Sequence, residues 1–310
     1  MEHMIGFRSG FATLIGRPNV GKSTLLNKIS GSRLAITSPK PQTTRHIIRA
    51  IHDDAESQII FTDTPGMHQP KTKLGEHMVS AAKQAIADTD VVLLLIEAGF
   101  DPRVGLLEKK LLALASQYKK PVILVINKVD LSAKENILPL IMAFDKVFDF
   151  AAIIPISAKT GDGLSELIAE IRKLLPEGPR YFPEESYTDQ TERMITAELI
   201  REQILFRIHE EIPHGTAVAI ESFVEIFDEN DETVRSHVSI EAAILCDRDS
   251  HKGIIIGKQG QTLKAIGSAA RREIEEMLGC TCYLQLFVKV REDWRNRKGI
   301  LNDLGYSSRE

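Results

Sequence analysis

One octapeptide restricts this chain more than any other feature: Gly16-Arg17-Pro18-Asn19-Val20-Gly21-Lys22-Ser23. It has the form G-x-x-x-x-G-K-S, follows an apolar run at residues 11–15 and opens a helix-compatible run at 24–29. A strand that turns through two glycines into a helix offers a phosphate a row of backbone N–H groups and the positive end of a helix. Lys22 is placed to bridge the β and γ phosphates, Ser23 to give its hydroxyl to magnesium, and Thr24 to continue the cradle. Such a loop belongs at the edge of an open, mostly parallel α/β sheet. The remaining apolar runs at 58–62, 91–96, 122–126 and 152–156 supply strands for one, with stretches between them long enough for crossover helices.

The base of the nucleotide is read further along. Asn127-Lys128-Val129-Asp130 ends the fourth of these runs, where ligands sit on such a sheet. The Asp130 carboxylate can accept both the N1–H and the exocyclic amine of guanine, whereas adenine would leave it facing a lone pair. Lys128 would lie along the base, and Ser157-Ala158-Lys159 can supply a backbone N–H to the guanine oxygen. Asp63-Thr64-Pro65-Gly66 follows the second run; Asp63 can hold the magnesium through water, and the Gly66 N–H can contact the γ phosphate. Hydrolysis would release residues 67–77. The polar loop at 37–45 is suited to order when a threonine reaches the metal, with Thr44 preferred and Thr43 the alternative. Where small GTPases carry a water-orienting glutamine after the glycine, this chain has Met67, and His68 and Gln69 stand at the wrong positions. The catalytic set is therefore Lys22, Asn19, Thr44 and Gly66. In it, Asn19 either coordinates a monovalent cation such as K+, which lends charge to the transition state, or braces its loop.

A chain of 310 residues exceeds the usual span of one core, so two domains are expected. Three prolines and a glycine between 176 and 183 mark the boundary: a nucleotide-binding domain over 1–178, a stiff linker over 179–189, and a second domain over 190–310. That second domain reads as helix, strand, strand, glycine-interrupted helix pair and strand, with a short basic tail helix, an α+β order. Its helix pair holds Ile256-Gly257-Lys258-Gln259-Gly260, a G-x-x-G turn through which a single-stranded nucleic-acid backbone can approach closely. The net charge of −4 hides a segregation. Residues 248–298 carry 11 Lys and Arg against 6 acids, while 210–247 carry 10 acids and the single base Arg235. Ile256, Gly257, Lys258, Gln259, Gly260, Lys264, Arg271 and Arg295 form the expected RNA-binding set, with single-stranded RNA favoured over duplex DNA. Trp294 either stacks on a base or anchors the tail, with anchoring preferred. Three cysteines cannot all pair internally, no apolar run approaches a membrane span, and Met1-Glu2-His3-Met4 does not open a secretory signal; a reduced, cytoplasmic protein is expected.

Taken together, residues 16–27 (GRPNVGKSTLLN), 41–46 (PQTTRH), 63–66 (DTPG), 127–130 (NKVD), 157–159 (SAK) and 254–267 (IIIGKQGQTLKAIG) resemble the Era-type GTPases with a C-terminal KH domain. The resemblance covers nearly the whole chain. It implies a P-loop GTPase domain followed by a type II KH domain, GTP and GDP as ligands, and Mg2+ as cofactor. It also implies binding near the 3′ end of 16S ribosomal RNA, assistance to 30S subunit maturation, and peripheral association with the inner face of the cell membrane. Many relatives have Asp where this chain has Glu97, and the sequence alone gives that change no consequence. Two rival readings are a GTP-regulated module that grips a protein or membrane surface, and an RNA-modifying enzyme. The first differs from RNA binding by weak salt dependence. The second needs a catalytic constellation that the scattered histidines do not form.

Overall fold

In the computed structural model the chain runs β1 (Arg8–Gly16), α1 (Lys22–Ser30), β2 (Ile48–Asp53), β3 (Ser57–Asp63), α2 (Lys73–Asp88), β4 (Val91–Glu97), α3 (Leu106–Gln117), β5 (Val122–Asn127), α4 (Ile137–Asp145), β6 (Ala152–Pro155) and α5 (Leu164–Leu174). It continues with α6 (Glu192–Arg207), β7 (Ala217–Phe227), β8 (Arg235–Cys246), α7 (Asp249–Ile256), α8 (Gln261–Leu278), β9 (Thr281–Val290) and α9 (Lys298–Asp303). The structure describes residues 6–306 apart from 39, 41, 42, 68, 69, 100, 101, 210 and 211. Expectations that fall on Pro41, Gln42, His68 and Gln69 lie outside the described residues. Two compact units emerge: Met1–Ala35, Thr44–His68 and Met78–Asp189 form one, and Ile36–Thr43, Gln69–His77 and Gln190–Glu310 the other.

The first unit is built on a six-stranded sheet in the order β2-β3-β1-β4-β5-β6, parallel except for β2, which runs antiparallel to β3. Helices cover such strands on both faces, so the strands need no polar side, and β3 is buried along its whole length. Parallel pairing brings the C-terminal ends of β1, β3, β5 and β6 to one edge, where the loops after them meet. The sequence reading missed β2, because Arg49, His52 and Asp53 interrupt its apolar pattern. An edge strand tolerates such charges.

Residues 179–189, expected as a linker, belong to the first unit. Gln58, fully buried on β3, accepts the N–H groups of Tyr181 (2.8 Å) and Phe182 (2.9 Å) and donates to the Phe182 carbonyl (2.9 Å). Further on, the Ile51 N–H donates to the Tyr187 carbonyl at 3.0 Å and the Thr188 hydroxyl to the Arg49 carbonyl at 2.6 Å, so this stretch runs along the free edge of β2. Partly buried hydrogen bonds fix the place of this proline-rich segment.

In the second unit a three-stranded sheet, β7-β8-β9, pairs β7 antiparallel and β9 parallel to β8. α6 and α8 pack on it, and the order α-β-β-α-α-β is the one expected. Thr191 caps α6, its hydroxyl accepting from the Met194 N–H. Trp294 is fully buried with its indole N–H on the Gly215 carbonyl at 2.9 Å, an anchor for the tail rather than a stacking surface. All three cysteines are free. Cys280 precedes β9, while Cys282 lies within it, and burial pushes the Cys282 thiol up to about 11.

Replacing Gln58 by Ala leaves buried donors and acceptors unpaired and should cost about 2–3 kcal/mol of stability. Amide exchange at Tyr181 and Phe182 should accelerate with it, while that of β7–β9 stays unchanged. Unaltered protection at 181 and 182 would show that something other than Gln58 holds this segment.

Candidate functional site

β1 ends at Gly16 and α1 begins at Lys22, so the phosphate loop lies on the ligand edge of the sheet. Lys22 is 8% exposed and its ammonium donates to the carbonyls of Gly16 (3.2 Å) and Arg17 (3.0 Å), which aims it across the loop. Burial pulls its pKa below the ordinary lysine value, and the nearby Asp63 carboxylate opposes that shift. Gly21 has φ +101, and a Cβ there would stand 2.2 Å from the Asn127 amide nitrogen. That amide explains the glycine. Asn127, 2% exposed, donates to the Val20 carbonyl at 2.8 Å and accepts from the Ala158 N–H at 2.9 Å. Expected to bind nucleotide, it braces the phosphate loop against both base-reading loops. The guanidinium of Arg17 makes two bonds to Glu108 of α3, which is 4% exposed. Its backbone, with those of Pro18, Asn19 and Val20, remains to line the loop. Asn19 is exposed and left-handed, φ +66.

Ser23, Thr44 and Asp63 come together. The Asp63 Oδ2 accepts from the Ser23 hydroxyl at 2.7 Å and the Thr44 hydroxyl at 3.1 Å, and the two hydroxyls are 3.2 Å apart. Asp63 is fully buried, and among the described residues no side chain bonds its Oδ1. Burial raises its pKa, with Lys22 acting in the opposite direction. Two hydroxyls and a buried carboxylate, hard oxygen donors with one negative charge among them, fit a magnesium ion in chemistry and in charge. Thr43 faces elsewhere: its hydroxyl donates to the Lys40 carbonyl at 2.6 Å. Within the second unit, the Thr37 N–H donates to the buried Glu202 carboxylate of α6 at 2.8 Å. After Asp63, the Thr64 hydroxyl donates to the Leu14 carbonyl at 3.0 Å, Pro65 leads to Gly66, and Met67 packs against the core cluster around Ile15, Ile96 and Ile126.

At the base-reading end, Asp130 is exposed and its Oδ1 accepts from the buried Ser157 hydroxyl at 2.7 Å, which orients the carboxylate. The Ala158 N–H is spent on Asn127, so Lys159 supplies the backbone donor that remains to this tripeptide. Lys128 adopts φ +66 and its ammonium meets Glu97 at 2.8 Å. Glu97 therefore does have a consequence: β4 pairs it directly with Asn127, beside the base-reading loop.

In the second unit, Ile256 closes α7 and Gly257-Lys258-Gln259-Gly260 turns the chain into α8, with φ of +73, +51 and +77 at 257, 259 and 260. Lys258 and Gln259 are exposed. Beside this turn lies a shallow cavity of about 400 Å3 lined by Gly260, Leu263, Lys264, Gly267, Ser268, Arg271, Leu284 and Leu286. Gly260, Lys264 and Arg271 of the expected RNA-binding set line this cavity. Arg295 is not in this lining; it donates to Asp247 at 2.9 Å. The apolar lining from Leu263, Leu284 and Leu286 was missed, although strand alternation in β9 carries that signal.

The chain matches the family model described as 50S ribosome-binding GTPase over residues 11–128 and the KH domain model over 211–295. It is 48% identical to GTPase Era of Ruminiclostridium cellulolyticum over 304 residues, covering 98% of this chain and 99% of the relative. It is 50% identical to GTPase Era of Geobacter metallireducens over 301 residues, covering 97% and 98%. A crystal structure of Era in complex with MgGDPNP and nucleotides 1506–1542 of 16S ribosomal RNA superposes with TM-score 0.88 at 41% identity, covering 97% of this chain and all of that one.

Asn127→Ala should weaken GTP and GDP together, by about 10- to 100-fold, since it leaves the Val20 carbonyl and the Ala158 N–H unpaired without touching the γ phosphate. Fluorescent-nucleotide titration reads both. A loss confined to GTP would contradict the bracing role.

Proposed function

We propose that this chain, which belongs to the Era family of GTPases, is a GTP-dependent switch that grips the single-stranded 3′ region of 16S ribosomal RNA and assists maturation of the 30S subunit. The cavity at the 257–260 turn carries the RNA part of this reading: cationic Lys264 and Arg271 at its rim suit phosphates, and Leu263, Leu284 and Leu286 suit splayed bases. The solved relative bound to nucleotides 1506–1542 of 16S ribosomal RNA supports the choice of target.

The chain hydrolyses GTP. Asp130, held by Ser157, selects guanine, and Lys128 and the Lys159 N–H complete the base site. The loop from Gly16 to Thr24 cradles the phosphates, with Lys22 on the β and γ groups, where charge grows as the γ phosphoryl departs. Ser23, Thr44 and Asp63 would hold Mg2+, which neutralises phosphate charge when bound. Thr64 and Pro65 carry the chain to the Gly66 N–H, which donates to the γ phosphate. Water attacks the γ phosphorus in line with the leaving oxygen. Met67, its thioether turned into the core, supplies no base, so positioning and electrostatics carry the step. Asn19, exposed at the crest of the loop, is placed to recruit K+ beside the phosphates. The same reading sets the protein in the cytoplasm, with any attachment to the inner membrane face made from the surface. No helix among the described residues is long and apolar enough to cross a bilayer.

Lys22→Ala should cost about 100-fold or more in nucleotide affinity and abolish turnover; near-normal hydrolysis would overturn the phosphate-loop assignment. For RNA, Gly260→Asp is the informative variant. Both glycines have positive φ, so either substitution strains the backbone, but nothing lies within 4 Å of a Cβ at 260, whereas one at 257 would also stand 2.1 Å from the Thr262 hydroxyl; Gly260→Ala, which carries the same strain without the charge, is the control. Gly260→Asp should weaken a 16S fragment spanning nucleotides 1506–1542 by about tenfold and spare GTP. Equal RNA affinity for variant and parent would remove the RNA reading, as would affinity that does not fall with salt.

A further inference from the structure

Strand alternation divides the second unit's sheet into two unlike faces. Val238, Ile240, Ala242 and Ile244 of β8, with Cys282 and Val288 of β9, are buried on the face that α6 and α8 cover. Toward the β7–β8 turn the alternate residues point the other way and reach solvent, whereas at the far end of that face Ala217, Ala243 and Leu245 are buried. On the two outer strands the solvent-reaching residues are bulky and apolar: Val224 (52% exposed) and Ile226 (47%) on β7, Tyr283 (56%) and Phe287 (37%) on β9. On the central strand they are short. Ser239 stands between Val224 and Tyr283, and the open stretch ends at Ala243, which is buried level with Phe287. The result is a short trough over Ser239 and Glu241, at the hairpin end of β8, with apolar walls.

Glu241 projects from the floor of this trough, between Ser222 and Gln285. It is exposed and has no hydrogen-bond or ion-pair partner among the described residues. The cations nearby are already matched: Lys289 pairs with Glu221 at 2.6 Å, and Arg235 with Glu192 and Glu225. At the end of the β7–β8 hairpin the turn adds Asp228, Glu229, Asp231 and Glu232. This side of the unit is therefore negative and repels phosphate, whether on a nucleic acid or on an anionic lipid. A carboxylate between aromatic and aliphatic walls suits a lysine or arginine, whose stem can lie on the walls while its head meets the charge.

We infer that the open face of this sheet is a docking surface for a basic protein segment, with one lysine or arginine on Glu241 and apolar neighbours on Val224, Ile226, Tyr283 and Phe287. The inference goes beyond RNA and nucleotide binding. It rests on the proposed function only for its setting, since proteins that coat RNA carry such basic segments.

The probe is a short labelled peptide of alternating lysine and valine, titrated against the full chain, with a glutamate-for-lysine peptide as control. The lysine peptide should bind and the glutamate peptide should not. Glu241→Gln and Tyr283→Ala should each weaken binding about tenfold, whereas Glu229→Gln, which removes the same charge from the exposed turn, should change it less than about twofold. Affinity for the 16S fragment should be unchanged in all three. Four results would overturn the inference: no binding by the parent chain, equal loss in Glu229→Gln and Glu241→Gln, loss of RNA affinity in Tyr283→Ala, or self-association of the parent that Tyr283→Ala abolishes. Gly260→Asp separates the two proposals, because it should lose RNA and keep the peptide.

Discussion

A buried side-chain amide holds the nucleotide site in register. Asn127 ties the Val20 carbonyl of the phosphate loop to the Ala158 N–H of the last base-reading loop, at 2.8 and 2.9 Å. Unpaired, each of these groups would cost about 1–3 kcal/mol, so the three loops are set together or not at all. The arrangement needs Gly21, because any side chain there meets the same amide. It also needs a parallel sheet, because only parallel strands deliver all these loops to one edge. Phosphate grip and base selection are thus two ends of one construction.

The parts of the site that were legible in the sequence are those in which chemistry dictates both residue type and spacing. A phosphate demands glycines, a lysine and a hydroxyl in one order, and guanine demands a carboxylate after a strand. The choice of Thr44 over Thr43 was open in the sequence, since neighbouring hydroxyls look alike until the backbone sets their direction. In the structure it is the Thr44 hydroxyl that stands beside Asp63 and Ser23. What the sequence hid are pairings between distant residues of ordinary type: Arg17 with Glu108, Lys128 with Glu97, and Arg295 with Asp247. Nothing local distinguishes a cation bound for a phosphate from one bound for a carboxylate ninety residues away.

The second unit divides its tasks by face. The turn at 257–260 and the flank of α8 gather positive charge over an apolar strip of β9, while the β7–β8 hairpin gathers negative charge. A global charge of −4 averages these away, which is why composition alone argued against RNA and the local pattern argued for it. The strip formed by Leu284 and Leu286 was also hidden, because leucines at alternate positions read as core. In a small sheet with helices on one side, the same residues can serve as core at one end of a helix and as a binding surface at the other.

The strand β2 lies at the edge of its sheet, and residues 187–189 run beside it. An uncovered edge is a template on which a second molecule can add its own strand, the first step toward disordered polymer. The chain leaving the last helix of the first unit occupies that template before any stranger can. The stretch that joins the two halves thus also keeps separate copies apart, and a first half excised at residue 178 would lose that protection, whereas one carried through to Asp189 would retain it.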